Sequence, residues 1–253
     1  MSRQELRAPD AFQRAGLEVR AWISTRKGLV VGLVAALAVA WFGAAVLRMM
    51  SDKREAKARE LMGTAMGTLS RPLAADLPPG APADPPPFKT AQERDHAARA
   101  ALEGVRTTYP GTRAAQSATL AVAGAEMRLG QVDAAIRHFE EYLRQAPAGE
   151  LLRVTALDGL GHAREAKQQL PEALDAYQRM SSEEASGFLE GMGAYHRARI
   201  LAEQGKKQEA AQGFADLISA HPGSAAARQA QERLSALESE GFKAVVTPRP
   251  DAG

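Results

Sequence analysis

Residues 157–180 read LDGLGHAREAKQQLPEALDAYQRM, a helical run, a break and a second helical run. Its second half carries Ala173 and, one helical turn later on the same face, Tyr177. Working outward in both directions, that pair recurs. Ala98, Ala135, Ala173 and Ala210 are separated by 37, 38 and 37 residues, and four residues after each comes Leu102, Phe139, Tyr177 or Phe214. Pro110, Pro147 and Pro222 lie twelve residues after three of the alanines, and Gly130 and Gly205 five residues before two of them. A second helical run precedes each of the last three alanines: 114–129, 151–170 and 187–204. A period of this length predicts stacked two-helix units, each burying its apolar face only against its neighbours.

Each recurring residue has a steric role. Alanine sits where two helices cross closely, and the large apolar side chain one turn on fills the space beside it. Glycine permits the tight turn between paired helices, and proline stops the second helix.

In this register the chain resembles the tetratricopeptide repeat (TPR) family. Leu160-Gly161 with Ala173 and Tyr177 match best; Val122-Ala123 with Ala135, Phe139 and Pro147 nearly as well. Ala198, Ala210, Phe214 and Pro222 mark the last copy. The family's first-helix tryptophan is absent, and its tyrosine position holds Glu126, Arg164 and Leu201. First helices of such arrays line the inner surface. That register assigns Asp158, His162, Glu165, Tyr195, Arg199 and Glu203 to a protein-binding face, with exposed polar side chains of no function as the alternative.

Upstream, residues 28–47 read GLVVGLVAALAVAWFGAAVL, twenty residues without a charge. At about 1.5 Å per residue this makes about 30 Å of helix, enough to cross a bilayer's hydrocarbon core. Arg26-Lys27 and Arg48 bracket it, and Trp22 and Trp41 lie near its ends. A cleaved signal peptide competes, because Ala38-Val39-Ala40 offers a small-x-small cleavage pattern; against it, the apolar stretch continues to Leu47. Six basic residues before the span and five just after it leave the topology open by charge. Gly28, Gly32, Ala36, Ala40 and Ala44 form a small-residue stripe that suits close packing against a membrane helix, of a second copy or of another protein; an alanine-rich composition produces such a stripe equally well.

The expected fold class is therefore all-α: a single N-terminal transmembrane helix plus a TPR-like α-solenoid of stacked helical hairpins. The expected divisions are an N-terminal tail at 1–27, the membrane helix at 28–48 and a helix at 49–71 that serves as the first helix of the first repeat, with a stalk from membrane to domain as the alternative. A proline-rich linker or insertion follows at 72–88 (PLAADLPPGAPADPPP through Pro87), then repeats at 89–238 and a disordered tail at 239–253. Phe12, Gly16, Val19 and Ile23 have the spacing of a short interfacial helix within the first tail.

Composition narrows the function. Lys and Arg number 32 against 30 Asp and Glu, intermixed along the chain, which speaks against a nucleic-acid surface. There is no cysteine, hence no thiolate metal site, disulfide or thiol catalysis. His96, His138, His162, His196 and His221 include no pair four residues apart, so neither a metal site nor a cofactor is expected. Gly159-Leu160-Gly161 and Gly191-Met192-Gly193 continue into no phosphate-binding motif, and no catalytic constellation is present. Protein binding is the expected activity.

The layout, with DAFQRAG and EVRAW ahead of the span, also resembles the YfgM-like ancillary subunits of the SecYEG translocon. That resemblance implies a bacterial inner-membrane protein with a cytoplasmic N-terminus and periplasmic repeats. Its implied partners are translocon subunits, periplasmic chaperones or secreted clients. The alternative is a structural envelope scaffold or self-assembling organiser without a role in translocation.

Overall fold

The computed structural model describes residues 22, 25–78, 82, 84–183 and 187–244. Most of the expected N-terminal tail, including Phe12, Gly16, Val19 and Ile23, lies outside them, as do residues 245–253. The chain divides into two units, Met1–Arg54 and Glu55–Gly253.

Helix α1, Lys27–Leu69, contributes to both. Its apolar stretch is long enough to cross a membrane, and none of it is buried by the rest of the protein. Within the second unit, Ala58 and Ala65 are buried in a small core with Leu102, Val105, Ala114, Ala118 and Val122. The carboxylate of Glu55 also accepts hydrogen bonds from the backbone N–H groups of Arg113 (2.9 Å) and Ala114 (3.3 Å). It thereby satisfies two amides that a helix start leaves without partners.

The remaining long helices are α2 (Ala91–Thr108), α3 (Arg113–Arg128), α4 (Val132–Gln145), α5 (Leu152–Ala166), α6 (Leu170–Ser182), α7 (Met192–Glu203), α8 (Lys207–Ala220) and α9 (Ala225–Ser239). Each packs on the next, giving the hairpins α3–α4, α5–α6 and α7–α8. Thr90, Thr112 and Ser224 cap α2, α3 and α9 by accepting from the backbone N–H three residues on. Pro110, Pro147 and Pro222 each lie two residues beyond the end of a helix, as expected of a stop.

The three hairpin turns share one closure. Gln131, Gln169 and Lys206 each donate their backbone N–H to the carbonyl five residues earlier, on Glu126, Arg164 and Leu201. The residue before each must adopt a positive φ. It is Gly130 at 71° and Gly205 at 80°, but Gln168 at 58° in the middle hairpin. There the expected glycine is missing and a glutamine takes its conformation.

Glycines also mark where helices approach most closely. A Cβ on Gly161 would stand 2.4 Å from the Tyr177 ring, and one on Gly159 equally close to Phe139. Gly193 lies against α6, where a Cβ would meet the Tyr177 carbonyl oxygen at 2.6 Å; Gly191 starts α7 at φ 75°. The Gly191-Met192-Gly193 phrase is thus a helix start and a helix crossing.

One extended core joins the last three hairpins, from Phe139 and Tyr142 through Tyr177 and Met180 to Phe214 and Leu217. Ion pairs then link equivalent levels of neighbouring hairpins: Arg128–Asp95, Lys167–Asp133, Arg199–Glu165 and Lys207–Glu240, each 33 or 34 residues apart. Arg153 ties two helix ends together. It donates to the carbonyls of Leu143 and Ala146 at the end of α4, and to both oxygens of Glu183 after α6.

The proline-rich segment is closed at its base: Ala74 donates to the Phe88 carbonyl (2.8 Å), Phe88 donates to that of Pro72 (3.2 Å), and Arg71 lies over the Phe88 ring. The expected disordered tail begins too early at 239. Phe242 and Ala244 pack against the core, Lys207 lies over the Phe242 ring, and Gln208 donates to the Lys243 carbonyl at 2.8 Å.

Candidate functional site

Helices α5, α6 and α7 bring most of the expected binding face together. On α5, Asp158, His162 and Glu165 sit at positions i, i+4 and i+7, one stripe of the helix. Arg199 and Glu203, one turn apart on α7, face that stripe. Arg199 donates to Glu165 at 2.7 Å and to Glu203 at 3.0 Å. From α6, the Tyr177 hydroxyl donates to Glu165 at 2.6 Å and lies 3.2 Å from Nδ1 of His162.

Tyr195 does not join this face. Its side chain is only 7% exposed and packs against Phe214 and His196 in the core. On the unbroken α7, His196 precedes Arg199 and Glu203 by three and seven residues and shares their stripe, so it reaches the cluster instead. Its ring stacks on Tyr177 at 4.6 Å and meets His162 edge-on at 4.8 Å. Its Nε2 stands 3.3 Å from Oδ1 of Asp158.

Burial and charge act against each other here. Burial alone would raise the Glu165 carboxyl, but the hydrogen bonds from Arg199 and Tyr177 and the guanidinium charge hold it below its ordinary value. Burial likewise opposes the charge on Arg199, and Glu165 and Glu203 overcome it, pushing that group up. Tyr177 is raised by burial and by its bond to Glu165, so it remains a hydroxyl donor. His162 is pushed down, first by burial and then by His196 and Arg199, despite Asp158 and Glu165 nearby. Within this cluster one polar atom stays unsatisfied: Oδ1 of Asp158 is shielded from solvent and accepts no hydrogen bond.

Asp158, His162 and His196 each present one donor atom, all within 4.8 Å of one another. No two histidines lie four residues apart, but Asp158 and His162 do. The third member, 34 residues beyond His162, is one repeat away.

A second polar cluster lies between α2, α3 and α4. The buried Glu126 binds Nδ1 of His138 at 2.7 Å and pairs with Arg99 at 3.6 Å, while Arg106 spans Glu103, Thr119, His138 and Glu141. In the first unit, Gly28, Gly32, Ala36, Ala40 and Ala44 are all exposed, and a Cβ on Gly28 or Gly32 would touch nothing.

Comparison with known proteins places this arrangement. Residues 88–240 match the family model described as YfiO, outer membrane lipoprotein. Among solved structures, the chain is similar to a tetratricopeptide repeat protein from Parabacteroides merdae, at 14% identity and a TM-score of 0.52. That alignment covers 72% of this chain and 60% of that one, so this chain spans well under the other's full length. It is also similar to the nearly identical TPR-like repeats of a Podosopora anserina kinesin light chain, at 16% identity and a TM-score of 0.54, over 74% of this chain and 87% of the other. At such identities the likeness is one of fold: TPR-like stacked hairpins. No curated protein matches the chain in sequence.

Proposed function

This chain belongs to the YfiO family of outer membrane lipoproteins, and from that premise we propose that it is a protein-binding scaffold of the bacterial envelope, tethered by its own apolar helix. The observation that carries the reading is the pairing of two features in one chain. A helix with an unburied apolar stretch precedes an array of hairpins whose cores take from that helix only residues beyond the stretch, Ala58 and Ala65 among them. The chain has no cysteine to carry a thioether lipid, and α1 supplies an apolar stretch long enough to span a bilayer. TPR-like arrays present long surfaces to protein partners, and a tether raises the local concentration at which weak contacts form. We assign the partner surface to the polar face of Asp158, His162, Glu165, Arg199 and Glu203. Within the membrane, the stripe from Gly28 to Ala44 offers close packing to a second copy or another membrane helix.

A second reading is favoured by the order tail, span, repeats. It makes the chain an ancillary translocon subunit of the inner membrane, with its N-terminus cytoplasmic, handing emerging proteins to periplasmic chaperones. Crosslinking the full chain in native membranes separates the two. The scaffold reading expects envelope-assembly proteins or self-adducts, reduced by Glu165→Lys with Glu203→Lys. Adducts dominated by translocon subunits and secreted chains would replace it with the second reading, and adducts unaffected by the double substitution would remove the assigned face.

A further inference from the structure

We propose that Asp158, His162 and His196 form a binding site for a divalent transition metal, zinc foremost, that bridges two neighbouring hairpins. The proposal stands on geometry and is independent of which protein the array binds.

Oδ1 of Asp158 is the starting point. A solvent-shielded carboxylate oxygen without a hydrogen bond is costly, and a cation is one of the few groups that can satisfy it. The two nearest nitrogens are Nε2 of His196 at 3.3 Å and Nε2 of His162 at 3.7 Å. A tetrahedral zinc with bonds of about 2.0–2.2 Å holds its ligand atoms about 3.3–3.5 Å apart. The first separation from Asp158 is therefore already that of a coordination edge, and the second is within a few tenths of an ångström of one. The third edge, within 4.8 Å, closes by a small swing of His162, whose side chain is 45% exposed and has room to move.

The surroundings fit the bound state. With Nε2 of His162 on the metal, its Nδ1 carries the proton and donates to the Tyr177 hydroxyl, which passes its own proton toward Glu165. Such support from behind fixes the orientation of a ligating imidazole. His196 is held flat by the Tyr177 ring. Metal on its Nε2 likewise puts the proton on Nδ1, so the 3.5 Å approach of Arg199 to that nitrogen is given up while Arg199 keeps Glu165 and Glu203. Asp158, Glu165 and Glu203 against Arg199 leave the pocket net negative with both imidazoles neutral, which favours a dication. Two imidazoles and one carboxylate suit zinc, copper or nickel far better than magnesium or calcium. Three protein ligands leave a fourth position for water or for a side chain of a bound partner.

The test uses tag-free full-length protein in detergent, stripped with EDTA and titrated with zinc, then with cobalt. The expected result is one equivalent bound, the visible absorption of tetrahedral cobalt, and a zinc-dependent rise in Tm. His162→Gln, at a half-exposed position where folding is not at risk, weakens zinc binding by roughly 100-fold, at least what losing a supporting partner costs. Asp158→Asn does the same. His138→Gln, which removes the other buried imidazole–carboxylate contact, leaves binding unchanged. Absence of stoichiometric binding, or binding equal in wild type and His162→Gln, would overturn the site.

Discussion

Two polar clusters sit one repeat apart, and they are built alike. In each, a glutamate near the end of a first helix is met by a side chain twelve residues later on the second helix: Glu126 by His138, Glu165 by Tyr177. In each, an arginine from a neighbouring helix joins in, Arg106 or Arg199. They differ in the kind of atom left without a partner. Around Glu126 it is a donor, the buried Nε of Arg99; around Glu165, with Asp158, His162 and His196 added, it is an acceptor, Oδ1 of Asp158. An arginine N–H cannot ligate a metal. A spare carboxylate oxygen beside two imidazoles can, and that separates a candidate site from a structural layer.

The difference can be broken by substitution, and the largest effect belongs to the Glu126 cluster. Glu126→Ala removes a buried carboxylate from His138 and Arg99, and should lower stability by about 3 kcal/mol in denaturant melts. A loss below about 1 kcal/mol would make the two clusters equivalent. Next comes packing between α6 and α7. Gly193→Ala drives a Cβ against the Tyr177 carbonyl, which cannot yield as a side-chain tip can, and should cost about 1–3 kcal/mol. Gly124→Ala, beside only the flexible end of Arg128, should be tolerated; equal losses would deny the special closeness of α6 and α7.

Acid sharpens the picture further. The bond from Arg153, with its charge, holds Glu183 below its ordinary value against a smaller opposing effect of burial. A carboxylate depressed on folding stabilises above its unfolded value near 4.5 and ceases to do so as pH falls through its lower folded value. Stability should therefore drop over that acidic window by less than about 1 kcal/mol, as for a partly solvated pair. Glu183→Gln should flatten that portion of the pH–stability curve; an unchanged slope would contradict the clamp. Smaller still is Asp158→Ala in zinc-free protein. It deletes an unsatisfied oxygen, so the shift should lie within about 0.5 kcal/mol of zero, against the loss at Glu126. Last, replacing residues 75–86 by a short glycine linker should leave Tm unchanged, since Leu73 and Phe88 already close the segment at its neck. Marked destabilisation would count against reading that segment as an insertion between α1 and α2.

Much of the fold is legible because it is periodic. A small residue followed one turn later by a large one, with proline past the helix end, can be seen in sequence since each recurs every 37 or 38 residues. The apolar helix is legible because length and absence of charge are local properties. What escaped is what does not repeat. Gln168 adopts a positive φ with no glycine to announce it, and the clip at Leu73 and Phe88 joins residues around a segment without periodicity. Tyr195 and His196 exchanged roles because adjacent helix positions point about 100° apart, so a register carried over from one repeat to the next and wrong by one residue turns a side chain from the surface into the core. The Asp158–His162–His196 cluster escaped because two of its members share a helix and the third arrives from the next hairpin.

The central claim is that α1 is a retained anchor holding the repeats at a membrane. The intact mass of the protein recovered from carbonate-washed membranes tests it most directly. A full-length species of 26.9 kDa in the membrane pellet is the predicted result. A species shortened by the residues through Ala40, released to the soluble fraction, would contradict it.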